Sequence, residues 1–290
     1  MSRARVLVEF SRPFTLVAPA LGFASGAATA VGAAPREAWS GDLILYPVIG
    51  LTMAAVLNAA SNALNQIYDL EIDRVNKPKR PLPSGRLTVA QAWAAVIAAM
   101  VVFLFCAWAL NPLCAALAPV ALIWIASYSY TKRFTDWSHL WLGGALAIAP
   151  VGGYIAVTGE WSDPAWLLVA IAFAVTCWVG GFDIFYALQD EAFDRKEGLH
   201  SLVVRLGQGW AIIVAKLLHG AAIAALIVFG KGAGLGIPYF AGVMLAVIVL
   251  GWEHRQVKPG DLSKLNAAFF NANGIVSIIV FLGALVDRVL

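Results

Sequence analysis

Nine apolar runs of 17 or more residues limit what this chain can fold into more than any other feature. They lie near Phe14 to Ala34, Leu43 to Tyr68, Val89 to Leu110, Leu113 to Tyr130, Ser138 to Val157, Pro164 to Gln189, Gln208 to Gly230, Gly236 to Trp252 and Leu265 to Val286. A hydrocarbon core of about 30 Å is crossed by roughly 20 apolar residues in a helix. Within it the backbone must satisfy its own polar groups, so helices are expected where strand-like alternation is missing. The chain is 61% hydrophobic and 13% charged, against about 25% charged in soluble domains. The expectation is an all-α polytopic membrane protein of about nine transmembrane helices, folded as one domain over residues 1–290. A leader peptide is disfavoured for the first run, because Glu9 and Arg12 break the usual basic flank.

The loops set the orientation. With the N-terminus inside, sixteen Lys and Arg residues fall on one side, among them Arg3, Arg5, Arg12, Lys132 and Arg133, and only Arg36, Lys231 and Arg288 on the other. This asymmetry places the N-terminus in the cytoplasm of a cell whose inner membrane holds the chain. The net charge of +3 is thus a topology signal, and no nucleic-acid footprint is expected. Cys106, Cys114 and Cys177 lie in apolar runs without CxxC spacing and read as core residues. The four histidines are scattered, so classical zinc chemistry is not expected, and nothing points to an obligate protein partner.

Two acidic segments break this apolar pattern. "NQIYDLEIDRVNKPKR" closes the second run and "DIFYALQDEAFDRKEGLHS" closes the sixth; Asp69, Asp73 and Arg74 recur 121 positions later as Asp190, Asp194 and Arg195. Four spans lie between, so both segments return to the cytoplasmic face. A duplicated four-helix unit, about 14–135 and 138–260 plus a last helix, is the corresponding suggestion. Residues three or four apart share a helix face, which joins Asn58, Asn62, Asn65, Asp69 and Asp73 into one polar stripe and Asp183, Tyr186, Asp190 and Asp194 into another. Ionised groups in a bilayer cost a few kcal/mol each and usually mark function. The two stripes therefore predict a central cavity open to the cytoplasm.

Facing carboxylates must protonate or hold cations. Acids placed at a helix C-terminus also oppose its dipole, so two matched DxxxD motifs are improbable as decoration. Oxygen-only donors select hard ions, and magnesium combines one or two carboxylates with waters and substrate phosphate. Asn65, Asp69, Asp73, Asp190 and Asp194 are the candidate ligands. The basic residues that follow, Arg12, Arg80, Lys132, Arg133 and Lys196, are suited to a polyphosphate; taken singly, each also suits a positive-inside anchor.

These residues resemble the UbiA-type intramembrane prenyltransferases, the superfamily of 4-hydroxybenzoate polyprenyltransferase. Asn65, Gln66, Asp69 and Asp73 are similar to the first family signature, N-D-x-x-D-x-x-x-D, and "NKPKRPLPSGR" to the loop that trails it. Asp183, Tyr186, Ala187, Asp190 and Asp194 match the second, and "YSYTKRFT" resembles the family's Lys-Arg-Thr connection. Gln66 stands where many members carry Asp, which implies altered tuning without loss of activity. The resemblance implies a magnesium-dependent transfer of a prenyl group from an allylic isoprenyl diphosphate to a small aromatic acceptor within the membrane lipid. In it the aspartates and Asn65 hold magnesium, Asn62, Tyr130 and Tyr186 are further candidate substrate contacts, and Asp183 orients the acceptor or takes its proton. Transfer to a non-aromatic acceptor such as an isoprenoid glyceryl phosphate is the alternative within the class. A cation-coupled transporter is the alternative outside it, disfavoured because the acids sit at helix ends beside basic loops and not at midplane helix breaks.

Overall fold

A computed structural model describes residues 3–33, 42–262 and 265–289. Arg36 and Lys264, both counted in the charge asymmetry, lie outside them. Twelve α-helices account for nearly all of the described chain: α1 (Arg3–Ser11), α2 (Val17–Ala33), α3 (Asp42–Tyr68), α4 (Leu70–Asn76), α5 (Val89–Leu110), α6 (Pro112–Thr131), α7 (Ser138–Thr158), α8 (Trp166–Ala187), α9 (Glu191–Lys196), α10 (Leu202–Gly232), α11 (Ile237–Gln256) and α12 (Leu265–Val289). Among the described residues, nine helices are long and apolar enough to cross a membrane. They correspond one to one with the nine apolar runs, and the chain is an integral membrane protein.

Local sequence sets the helix ends. Thr88 and Gln91 form a reciprocal capping box at the start of α5. Asn111 caps α6 ahead of Pro112, which fits the first helical position, and its amide also donates to the Ile155 carbonyl at 2.9 Å, tying α6 to the far end of α7. Within α10 the chain breaks at Gly207, where φ is 76°. Glycine adopts that conformation without strain, and the apolar run read from the sequence begins just after it, at Gln208.

Consecutive spans pack side by side, and α12 returns against α2 to close a ring. Helix α7 crosses the interior against α2. That approach needs small residues: a Cβ on Gly26 would lie 1.9 Å from the Pro150 oxygen, and one on Gly153 would lie 2.1 Å from the Phe23 oxygen. Membrane helices gain little from hydrophobic exclusion between themselves, so such backbone contact supplies much of the packing. Helix α1 lies outside the ring of spans, packed on α3 through Val6 and Phe10, and Glu9 pairs with Arg86 at 2.6 Å.

Candidate active site

Both acidic motifs straddle a break in a helix. Helix α3 ends at Tyr68, Asp69 stands in the break, and α4 begins at Leu70. Helix α8 ends at Ala187, Asp190 precedes α9, and Asp194 lies within it. This corrects the expectation of acids opposing the C-terminus of an unbroken helix. Glu71, Asp73, Glu191 and Asp194 occupy the first turns of short helices, where negative charge is tolerated. The backbone bonds match as well: Asp73 N–H donates to the Asp69 carbonyl at 2.7 Å, and Asp194 N–H to the Asp190 carbonyl at 2.8 Å. Neither Asp69 nor Asp190 uses its carboxylate to cap the following helix.

Basic residues from two loops meet these acids. Arg80 binds Asp73 at 2.5 Å, Arg133 binds Asp69 at 3.3 Å, and Lys132 binds Asp194 at 3.2 Å; Asp73 and Asp194 are each only 2% exposed. Asn65 donates to the second Asp69 oxygen at 3.2 Å. Lys132 acts on Asp194, Asp183 and Asp190 of the second motif and also on Asp69 of the first, while Lys77 lies within the field of both Asp73 and Asp190. The two helix tips therefore converge around shared cations. Burial pushes the Asp69 carboxyl above the usual carboxylate range, and Asp73 adds to it against the pull of Arg133 and Lys132. Burial likewise raises Asp190, reinforced by Asp194 and Asp183. Burial would lower the Lys132 ammonium, but Asp194, Asp183 and Asp190 outweigh it, and the group is held above the ordinary lysine value.

No group of three or more His, Cys, Asp or Glu able to hold a metal forms among the described residues. The donors come as two carboxylate pairs, one on each tip. Such pairs fit magnesium, whose octahedron is filled by one or two carboxylates together with water and phosphate oxygens.

A cavity of about 930 Å³ begins beside the first motif. Arg12, Thr15, Asn58, Asn62, Asn65 and Tyr128 form its polar end, and the walls beyond are apolar, including Phe23, Met53, Leu57, Phe103, Ile125 and Phe182. Residues 50–65 of α3 line it along a length of ~22 Å, at 1.5 Å per residue. Thr15 holds the asparagine stripe in place: Asn58 and Asn62 donate to its hydroxyl at 3.0 and 2.8 Å.

Several sequence expectations change here. Tyr130 is half exposed, packs on Tyr68 and lies under Arg133; Tyr128, two residues earlier, is the tyrosine in the cavity wall. Half a helical turn separates the two, so they face different ways. Lys196 ends α9 exposed and makes no hydrogen bond or ion pair to either motif among the described residues, so its predicted place at the site is not supported. Gln66 is 1% exposed and donates to the Phe10 carbonyl at 2.8 Å, facing α1 and not the acids. Its amide is a structural tether that a carboxylate could not replace. Asp183 meets a residue the sequence reading passed over: His139 of α7, fully buried, with Nδ1 2.7 Å from Asp183 Oδ2. The Leu202 N–H points at His139 Nε2 at 3.4 Å, which leaves Nδ1 as the donor to Asp183. The histidines are not all scattered either, since His219 and His254 meet at 2.9 Å inside the bundle; no third ligand joins them among the described residues.

Two converging acidic tips at the mouth of an apolar membrane cavity agree with what the sequence matches: residues 17–275 fit the UbiA prenyltransferase family. The chain belongs to that family. It is 30% identical over 234 residues to a 4-hydroxybenzoate octaprenyltransferase of Alkalilimnicola ehrlichii, covering 80% of this chain and 78% of that one. A UbiA homologue from Aeropyrum pernix K1, solved without ligand, superposes with a TM-score of 0.81 at 29% identity, covering 93% of this chain and 97% of the other. A UbiA homologue from Archaeoglobus fulgidus, bound to GPP and Mg2+, shares the fold with a TM-score of 0.71 at 20% identity, over 98% and 100% of the two chains.

Proposed function

We propose that this UbiA-family prenyltransferase moves a prenyl group from an isoprenyl diphosphate to a small aromatic acceptor, with magnesium held at the cytoplasmic face of the inner membrane. The observation that carries this reading is that the adjacent residues Lys132 and Arg133 bond to Asp194 of one acidic tip and Asp69 of the other, beside the polar end of an apolar cavity. The relative that acts on 4-hydroxybenzoate and the homologue that binds GPP and Mg2+ support the same choice of substrates.

Asp69 and Asp73 on one tip, Asp190 and Asp194 on the other, and Asn65 beside Asp69 would hold the metal. Bound there, magnesium would supply positive charge to offset the negative charge developing on the diphosphate. Arg80, Lys132 and Arg133, which face those acids, would offer charge-assisted contacts to phosphate oxygens of the bound donor. Preorganised cations of this kind lower the barrier to breaking the allylic carbon–oxygen bond, whose electron pair leaves with the diphosphate. The apolar walls keep water from the allylic cation. An aromatic carbon of the acceptor then donates an electron pair to the cation, and the ring loses a proton, which Asp183, paired with His139, would take.

The cavity also bears on the donor. A three-bond peptide residue advances up to about 3.5 Å, so a four-bond isoprene unit advances roughly 4.5 Å. The lined length thus holds roughly four to five extended units. Longer tails pass the exposed rim at Val120 into lipid.

The test is product formation by purified protein given magnesium, geranylgeranyl diphosphate and 4-hydroxybenzoate. Asp69→Ala and Asp190→Ala should each lose two or more orders of magnitude in turnover while the protein stays folded. Full activity in both variants would remove the site assignment.

A further inference from the structure

The basic residues gathered at this site fall into two kinds. Arg80, Lys132 and Arg133 are each bonded to an aspartate, and none of them lines the cavity. Arg12 is the reverse: it lines the polar end of the cavity, and its guanidinium forms no hydrogen bond or ion pair among the described residues. It lies over the face of Phe14, whose centroid is 5.3 Å away, and Tyr186 and Tyr128 are near enough to act on its charge. Asp73 is near enough to favour its charge, but Arg80 stands between the two in effect, bonded to that carboxylate and repelling Arg12.

The backbone at Arg12 is also unusual. With φ 51° and ψ 61° it is the one residue other than glycine with positive φ among the described residues. A non-glycine residue persists in that region only where its surroundings enforce it, and such positions cluster at functional sites. Here the turn is enforced: Thr15 donates to the Arg12 carbonyl from its N–H at 3.0 Å and from its hydroxyl at 2.9 Å, while the same hydroxyl anchors Asn58 and Asn62. The strained turn aims a cation into the chamber from the junction of α1 and α2.

We propose that Arg12 binds the carboxylate of an aromatic-acid acceptor and so sets the acceptor class of this enzyme. The proposal rests on the prenyl-transfer reading. An acceptor must sit where the polar end meets the apolar tail chamber, next to the carbon that leaves the diphosphate, and Arg12 stands at that junction. A free guanidinium fork matches a carboxylate in two parallel hydrogen bonds, and the Phe14 ring against it gives a flat apolar neighbour for an aromatic ring. The diphosphate has its own cations on the aspartate-lined rim.

Glycine suits the left-handed turn, so Arg12→Gly removes the guanidinium without straining the backbone. The experiment compares wild type, Arg12→Gly and Arg12→Lys, with magnesium and geranylgeranyl diphosphate held constant, on 4-hydroxybenzoate and on its methyl ester. Wild type should prefer the acid by about 10- to 100-fold in kcat/KM, the range of one charge-assisted contact. Arg12→Gly should bring the acid-to-ester ratio of kcat/KM to near one without raising the KM for the donor, and Arg12→Lys should recover part of the ratio. A raised donor KM with an unchanged acceptor KM would make Arg12 a diphosphate contact and overturn the proposal, as would an acid preference that survives in Arg12→Gly. Should wild type turn over neither acceptor, the prenyl-transfer reading fails separately. Equilibrium dialysis of labelled 4-hydroxybenzoate against wild type and Arg12→Gly then decides the proposal alone: equal binding sinks it, and binding lost only in the variant supports it.

Discussion

Replacing Lys132 by alanine separates a diphosphate-binding role from a topological one. Its ammonium lies 3.2 Å from a carboxylate that is 2% exposed, and its field reaches acids on both tips. The substitution removes one charge-assisted contact to the donor, which is typically worth about 1.5–3 kcal/mol. At 1.4 kcal/mol per factor of ten, that corresponds to a loss of roughly 10- to 150-fold in kcat/KM for the donor. The same change leaves Asp194 without its counter-ion and freer to bind metal, so the magnesium concentration for half-activity should stay level or fall. Asp194→Asn should raise it. Because Lys132 is held above the ordinary lysine value, it stays charged through pH 10, and alkaline wild type should not mimic the variant. The assay is diphosphate release by detergent-purified protein, titrated separately in donor and in magnesium. Unchanged donor kinetics in Lys132→Ala would refute the reasoning and leave the residue as an inside anchor.

Two further outcomes follow from the same geometry. Burial raises Asp69 and Asp190 above the usual carboxylate value, so protons compete with metal at a higher pH than for exposed aspartates; activity should fall as pH drops through the window above about 4, and added magnesium should move that limb to lower pH. An acid limb insensitive to magnesium would count against metal binding at these residues. His139→Leu should lower kcat about 10-fold or more with little change in donor KM, whereas His139→Gln, which keeps a donor toward Asp183, should recover much of it; equal losses in both variants would reduce His139 to packing.

The pairing of acids with bases shows how far the linear chain could be read. Sequence placed Arg80, Lys132 and Arg133 near the acids, because short loops keep them at the same helix ends, and each does meet an aspartate. It named Tyr130 where Tyr128 lines the cavity, since α6 is apolar on nearly every side and no stripe marks the face turned inward. It read Gln66 as a departure within the acidic motif, where the fold turns that side chain toward α1. His139 was overlooked because its partner is 44 residues away, and only the crossing of α7 and α8 brings them together.

By itself the sequence determined the membrane solvent, the number of apolar spans and the two acidic motifs, and gave an expectation of their sidedness. All of these follow from run length, charge asymmetry and spacing, properties carried within single segments. The tertiary structure alone decided which face of each span looks into the cavity, where the helices break around Asp69 and Asp190, and that the Arg12 guanidinium lines the chamber with no hydrogen bond or ion pair among the described residues. Those depend on helix rotation and on contacts between distant segments, and when a span is apolar all round its own residues leave that rotation undetermined.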